Sequence, residues 1–158
     1  MSYQSILCPV DHAGCAGQVL AHAATFARAF DAELVVLSVV DPPPGAMVGV
    51  ADVVLALEEE ARAAVAPLLA PLNVGAVRHE VKVGLVVETI LACLEDCKGD
   101  LIVMGTHGRT GLRRMLLGSV AESLVRQSPV PVVIVRATAG TADQHSAEWQ
   151  RAAAEQMG

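Results

Sequence analysis

The residues best suited to chemistry lie between Met104 and Val120, where Gly105, Gly108 and Gly118 punctuate a loop that ends in Ser119. The stretch leaves an apolar run and enters a helical pattern, so main-chain N–H groups and the positive end of a helix converge on one place. That is a seat for a phosphate chain. Glycines let the backbone approach an anion closely, and Ser119 adds a hydroxyl and, as the expected N-cap, the first helical amides. Arg109, Arg113 and Arg114 bring three of the chain's 11 basic residues to this loop. Charge-assisted hydrogen bonds contribute roughly 1.5–3 kcal/mol each, enough for a few to hold a polyphosphate on an acidic protein.

Other phosphate loops fit less well. No G-x-x-x-x-G-K-[ST] segment occurs, and no G-x-G-x-x-G follows the first apolar run, so the P-loop and the dinucleotide fingerprint are both missing. Outside the loop, Asp11 ends that first run and is either a turn cap or a ligand contact. His12 and Cys15 do not make a nucleophile–base pair. His22, His79, His107 and His145 are scattered and read as structural or solvated. The cysteines, Cys8, Cys15, Cys93 and Cys97, contain no C-x-x-C pair. Cys93 and Cys97 are side by side on a helix without a second pair of ligands, so buried or bystander thiols are the reading.

These residues need a scaffold, and the pattern supplies one. Ser5–Val10, Leu34–Val40, Leu101–Met104 and Pro129–Val135 are short apolar runs that read as buried strands. Val77–Val83 alternates valine and histidine with Arg78, Glu80 and Lys82, as an edge strand with one wet face would. Helices are expected at Ala16–Phe30, from Asp52 to about Val65 (bent or ended by Pro67 and Pro71), at Val86–Cys97 with Gly99 as C-cap, and at Ser119–Gln127. Five strands alternating with four helices predict a parallel α/β sheet covered by helices on both faces. Ligands of such sheets sit beyond the carboxyl ends of the strands, where the strand order reverses.

The bulk properties agree. A chain of 158 residues suits one domain, and 53% hydrophobic but 3% aromatic residues suggest an aliphatic core. The formal charge of -6 argues against nucleic-acid binding, which draws on phosphate neutralisation. No targeting segment or membrane span is legible, so a cytoplasmic protein is expected. The stretch 137–158 is polar and small-residue rich, and reads as a partly mobile or helical tail on a domain covering 1–136.

The spacing Gly105-x2-Gly108-x9-Gly118-Ser119 resembles the ATP-binding signature of the universal stress protein family. The resemblance spans about residues 4–136, including Ile6–Asp11, Leu37–Val40 and Pro129–Val135. It implies a Rossmann-like fold with strand order 3-2-1-4-5 and roles for matching positions. Asp11 would hydrogen-bond near the nucleoside. Pro9, Val10 and Val39 would form the adenine and ribose pocket, Val39 through its main chain. Met104 and Gly105 would lie beside the ribose and first phosphate. Gly108, Gly118, Ser119 and Val120 would cradle the phosphates, with Arg109 a candidate contact. ATP with Mg2+ or Mn2+ is the implied cofactor, and a second copy, paired through Val130–Val135, the implied partner. Two departures stand out: Ala13 replaces a common hydroxyl residue, and the segment from Gly84 to Val87 lacks a common proline.

The function expected is a nucleotide-binding regulatory or protective protein of the stress response. It is not expected to be a dedicated enzyme, since no triad, carboxylate pair or metal cluster is visible; hydrolysis would be slow and incidental. One alternative is a dimeric scaffold without ligand. Another is a nucleotidyl transferase, faintly suggested by His12–Cys15 but lacking the second histidine of its motif.

Overall fold

A computed structural model describes residues 2–11, 15–41, 50–106 and 117–136. The order of elements is β1 (Ser5–Val10), α1 (Ala16–Phe30), β2 (Glu33–Val40), α2 (Val50–Leu69), a 3-10 turn (Ala70–Leu72), β3 (Val77–Val83), α3 (Val86–Asp96), β4 (Leu101–Gly105), α4 (Ser119–Gln127) and β5 (Val132–Val135). All strand pairs are parallel, and the sheet order is β3-β2-β1-β4-β5.

The apolar runs become central strands because both of their faces are buried. Ile6, Cys8, Val10, Leu34 and Val36 point to one face, where they meet Val19, Leu20, Ala23, Ala24 and Ala27 of α1 and Val65 of α2. Leu7, Val35, Leu37, Ile102 and Met104 point to the other, against Ile90, Cys93 and Leu94 of α3 and Ala121 and Leu124 of α4. The alanine-rich face of α1 lets that helix lie close to the sheet. At the amino end, the Asp100 carboxylate accepts the Gln4 N–H at 2.8 Å and the Ser5 N–H at 3.3 Å, tying the start of β1 to that of β4.

Several local expectations change. Pro67 lies inside α2, which runs on to Leu69. The hydrogen bond proline removes would fall on the carbonyl of Ala63, an exposed residue where water can serve it, while Val65 and Leu72 hold the following turn on the core. Cys97 follows the last residue of α3, and Gly99 is not its left-handed cap. Lys98 takes that role at φ 51°, with its N–H donating to the Glu95 carbonyl and that of Gly99 to the Leu94 carbonyl. This is a Schellman turn, and Gly99 is required for space: a Cβ there would stand 2.6 Å from Leu94 Cδ1. The last strand is shorter than expected, beginning at Val132.

β3 is an edge, as the alternation predicted, but its charged face is not simply wet. Arg78 pairs with Glu33 at 3.1 Å, and Lys82 with Asp96 of α3 at 2.6 Å. Its valines at the two ends, Val77 and Val83, are exposed instead. Among the described residues no helix is long and apolar enough to cross a membrane.

Candidate functional site

β1 is followed by α1 on one face of the sheet and β4 by α4 on the other, so the chain turns away in opposite directions above neighbouring strands. A crevice opens there. It is a cavity of about 420 Å³ bounded by the carboxyl ends of β1, β2 and β4, the first turns of α1 and α4, and residues of α2 and α3. Of the site residues named from the sequence, Pro9, Val10, Asp11, Val39, Met104, Gly105, Gly118, Ser119 and Val120 all line it. They come from four separated segments, and only the fold brings them together. Gly108 and Arg109 lie outside the described residues, as do His107, Arg113 and Arg114.

The base of the loop is held by the main chain. The Thr106 N–H donates to the Val135 carbonyl at 3.1 Å, and the Gly118 N–H to the Thr106 carbonyl at 2.8 Å. This ties the start of the loop to β5 and its two ends to each other. α4 then begins with Gly118 as N-cap, not Ser119; the serine is the first helical residue and is exposed. The reason is backbone geometry: Gly118 is extended at φ -61°, ψ 156°, and its carbonyl accepts the Glu122 N–H, the first bond of the helix. A glycine cap has no side chain to satisfy the first-turn amides, and Gly118, Ser119, Val120 and Ala121 line the cavity at the positive end of the helix dipole.

The walls are mostly apolar. Leu37, Val39, Val86, Ile90 and Met104 form the side toward α3, and Val10, Ala16, Val19 and Leu57 the side toward α1 and α2. Sequence reasoning missed Cys15, Asp41, Leu57 and Glu60 as lining residues. Asp41 was legible only as the end of a strand, and nothing in the pattern of α2 shows which turn reaches the crevice. The loop whose common proline is missing is closed by Gly84, at φ 154°, with its N–H on the Val40 carbonyl at 3.0 Å. A Cβ on Gly84 would meet Thr89 Oγ1 at 2.6 Å.

Away from the crevice, three titratable groups are engaged by the core. His79 Nε2 lies 2.9 Å from the buried Ser38 Oγ. Cys8 and Cys93 are sealed in the core, and burial pushes both thiols up to about 12, the Glu80 carboxylate adding to the shift at Cys93.

Order, parallel sense and crevice define a doubly wound α/β protein of the Rossmann-like kind. The chain belongs to the universal stress protein family, whose model matches residues 2–136. It is 33% identical over 141 residues to universal stress protein MJ0531 of Methanocaldococcus jannaschii, covering 85% of this chain and 82% of that one. The same organism's MJ0577 is 31% identical over 154 residues, covering 85% and 95%. The solved structure of MJ0577 superposes with a TM-score of 0.79 over 89% of this chain and 100% of that chain. UspA from Lactobacillus plantarum, 25% identical, superposes at 0.77 over 86% and 99%.

Proposed function

We propose that this protein binds an adenine nucleotide, ATP with Mg2+ or Mn2+, in the cavity at the carboxyl ends of β1, β2 and β4, and acts as a nucleotide-dependent regulatory or protective module. One observation carries the reading: the side-chain-free N-cap Gly118 opens the first turn of α4 into a cavity whose other walls are apolar. Such a site offers amides to an anion at one end and burial to a flat ring at the other. Two universal stress proteins that share this fold at 24% and 22% identity have been solved with cAMP and with dAMP, the second from Archaeoglobus fulgidus.

Among the described residues no three His, Cys, Asp or Glu side chains could together hold a metal ion. Within that set a divalent cation would take its oxygens chiefly from the phosphates and water. The module is proposed to lack a dedicated catalytic activity, with hydrolysis slow. It is proposed to act in the cytoplasm and as a homodimer. Val130, Val132, Val133 and Ile134 are half-buried, and β5 is an edge of the sheet, an arrangement that a second copy would cover. Light scattering on the eluting protein tests the dimer, and a monomer at micromolar concentration counts against it.

Nucleotide binding is tested by thermal unfolding of nucleotide-stripped protein with Mg-ATP. A ligand that binds only the folded state at a hundred times its Kd adds about 2.7 kcal/mol. An unmoved melting temperature at millimolar Mg-ATP refutes the reading.

A further inference from the structure

Among the described residues seven large apolar side chains are exposed, and four of them, Val53, Leu55, Val83 and Leu85, lie on the opening turns of α2 and at the end of β3. Single exposed apolar side chains are ordinary, but a group of them marks an interaction site. The group arises because α2 outruns the core. At four-residue steps along one face, Val65 and Ala61 are buried, Leu57 is half-buried on the cavity wall, and Val53 is 46% exposed. β3, against which α2 packs, ends at the exposed Val83. The Gly84 N–H then donates to the Val40 carbonyl, and Leu85 is left 64% exposed before Val86 returns to the cavity wall. Leu57 and Val86 border the same cavity, so both apolar groups stand beside its mouth.

The surroundings carry one sign of charge. Asp52 and Glu59 stand three residues before and four after Leu55, Glu88 follows Leu85 by three, and Asp41 and Glu60 are at the cavity rim. All five are exposed, and among the described residues none is in an ion pair. No lysine or arginine occurs from Asp41 to Ala61 or from Val83 to Cys97. Apolar groups ringed by carboxylates complement leucines backed by cations. The same charge repels a second copy of this chain, at a formal -6, and an anionic lipid surface. We propose that Val53, Leu55, Val83 and Leu85 form a docking surface for a basic amphipathic helix of a protein partner. The apolar stripe of that helix covers the four side chains, and its cations meet Asp52, Glu59 and Glu88. The surface lies outside the cavity, so the proposal stands apart from the nucleotide reading.

The probe is a labelled synthetic peptide of about four helical turns, with leucines at i, i+3, i+4 and i+7 and lysines elsewhere. It is titrated with the full chain and followed by fluorescence anisotropy. Binding that saturates below about 100 µM is expected. Two control peptides, one with glutamates in place of the lysines and one of the same composition in shuffled order, should bind at least about tenfold more weakly. The variant L55Q/L85Q changes side chains that are 57% and 64% exposed, so it should fold and melt as the wild type does. Loss of two leucines from the contact should weaken the lysine peptide about tenfold or more. Should the double variant unfold, L55Q and L85Q singly carry the comparison at about threefold each. No binding of the lysine peptide, equal binding of either control, or an unchanged affinity in the variants overturns the proposal. So does sedimentation of the wild type but not the variant with phosphatidylglycerol vesicles, which assigns the surface to lipid. A dimer that only the variant loses in light scattering assigns it to a second copy and overturns the proposal too.

Discussion

Replacing Gly118 by aspartate separates stability from binding, because the two should move in opposite directions. Gly118 is extended at φ -61°, so it needs no glycine-specific conformation. Its two main-chain hydrogen bonds, to Thr106 and from Glu122, do not involve a side chain. Aspartate is among the favoured N-cap residues, and its carboxylate can accept the N–H of Val120 or Ala121 while facing the positive helix end. The gain over glycine is about 0.3–1 kcal/mol, a rise of roughly 1–3 °C for a domain of this size. The same carboxylate then occupies the amides proposed for phosphate. With an anion about 5 Å away, the repulsion is roughly 1–3 kcal/mol per unit of charge between the aqueous and protein limits of screening. Affinity for ATP should fall by roughly five- to 150-fold. Thermal melts without nucleotide and calorimetry with Mg-ATP read the two effects separately. A variant that melts as expected yet holds ATP within threefold of the wild type shows that the phosphates do not sit on α4.

Four further outcomes follow from the packing. Cys15 is half-buried in the cavity wall while Cys8, Cys93 and Cys97 are buried; a disulfide reagent at pH 8 should label one thiol per folded chain quickly, and saturating Mg-ATP should slow it. The thiols of Cys8 and Cys93 are raised from 9.0 to about 12 by burial, so above pH 9 the unfolded chain loses protons that the folded chain keeps. Stability from these groups is intact below pH 9 and falls as pH rises from 9 towards 12, and Cys8→Ala should flatten that limb of a urea-stability profile. Gly99→Ala places a methyl group 2.6 Å from Leu94 Cδ1 and 3.3 Å from Cys97 Sγ, costing about 1–3 kcal/mol in urea unfolding. Lys98→Gly relieves the left-handed φ of 51° and should add about 0.5–1 kcal/mol.

Strand and helix content was readable where hydrophobic period and burial agree. The bounds of β1, α1 and β3 match their patterns because each lies between unambiguous stops, such as Asp11 after β1 and Asp31 after α1. The pattern failed where tertiary support overrides local propensity. Pro67 did not end α2, because packing carries the next turn, and Gly99 proved to be a contact glycine beside a left-handed lysine. Ser119, a good cap by type, lost that place to Gly118 because loop closure onto Thr106 sets where the helix begins.

By itself the chain determined an aliphatic parallel α/β domain, the glycine-and-serine loop at a helix mouth, and the family it resembles. These are local properties, written in period, spacing and residue type. Only the tertiary structure decided that Asp41, Leu57 and Glu60 share a cavity with Gly118, residues brought together by the crossovers between parallel strands. Sequence distance carries no information about that meeting. It depends on where a helix returns across the sheet and on which turn its packing leaves facing the crevice.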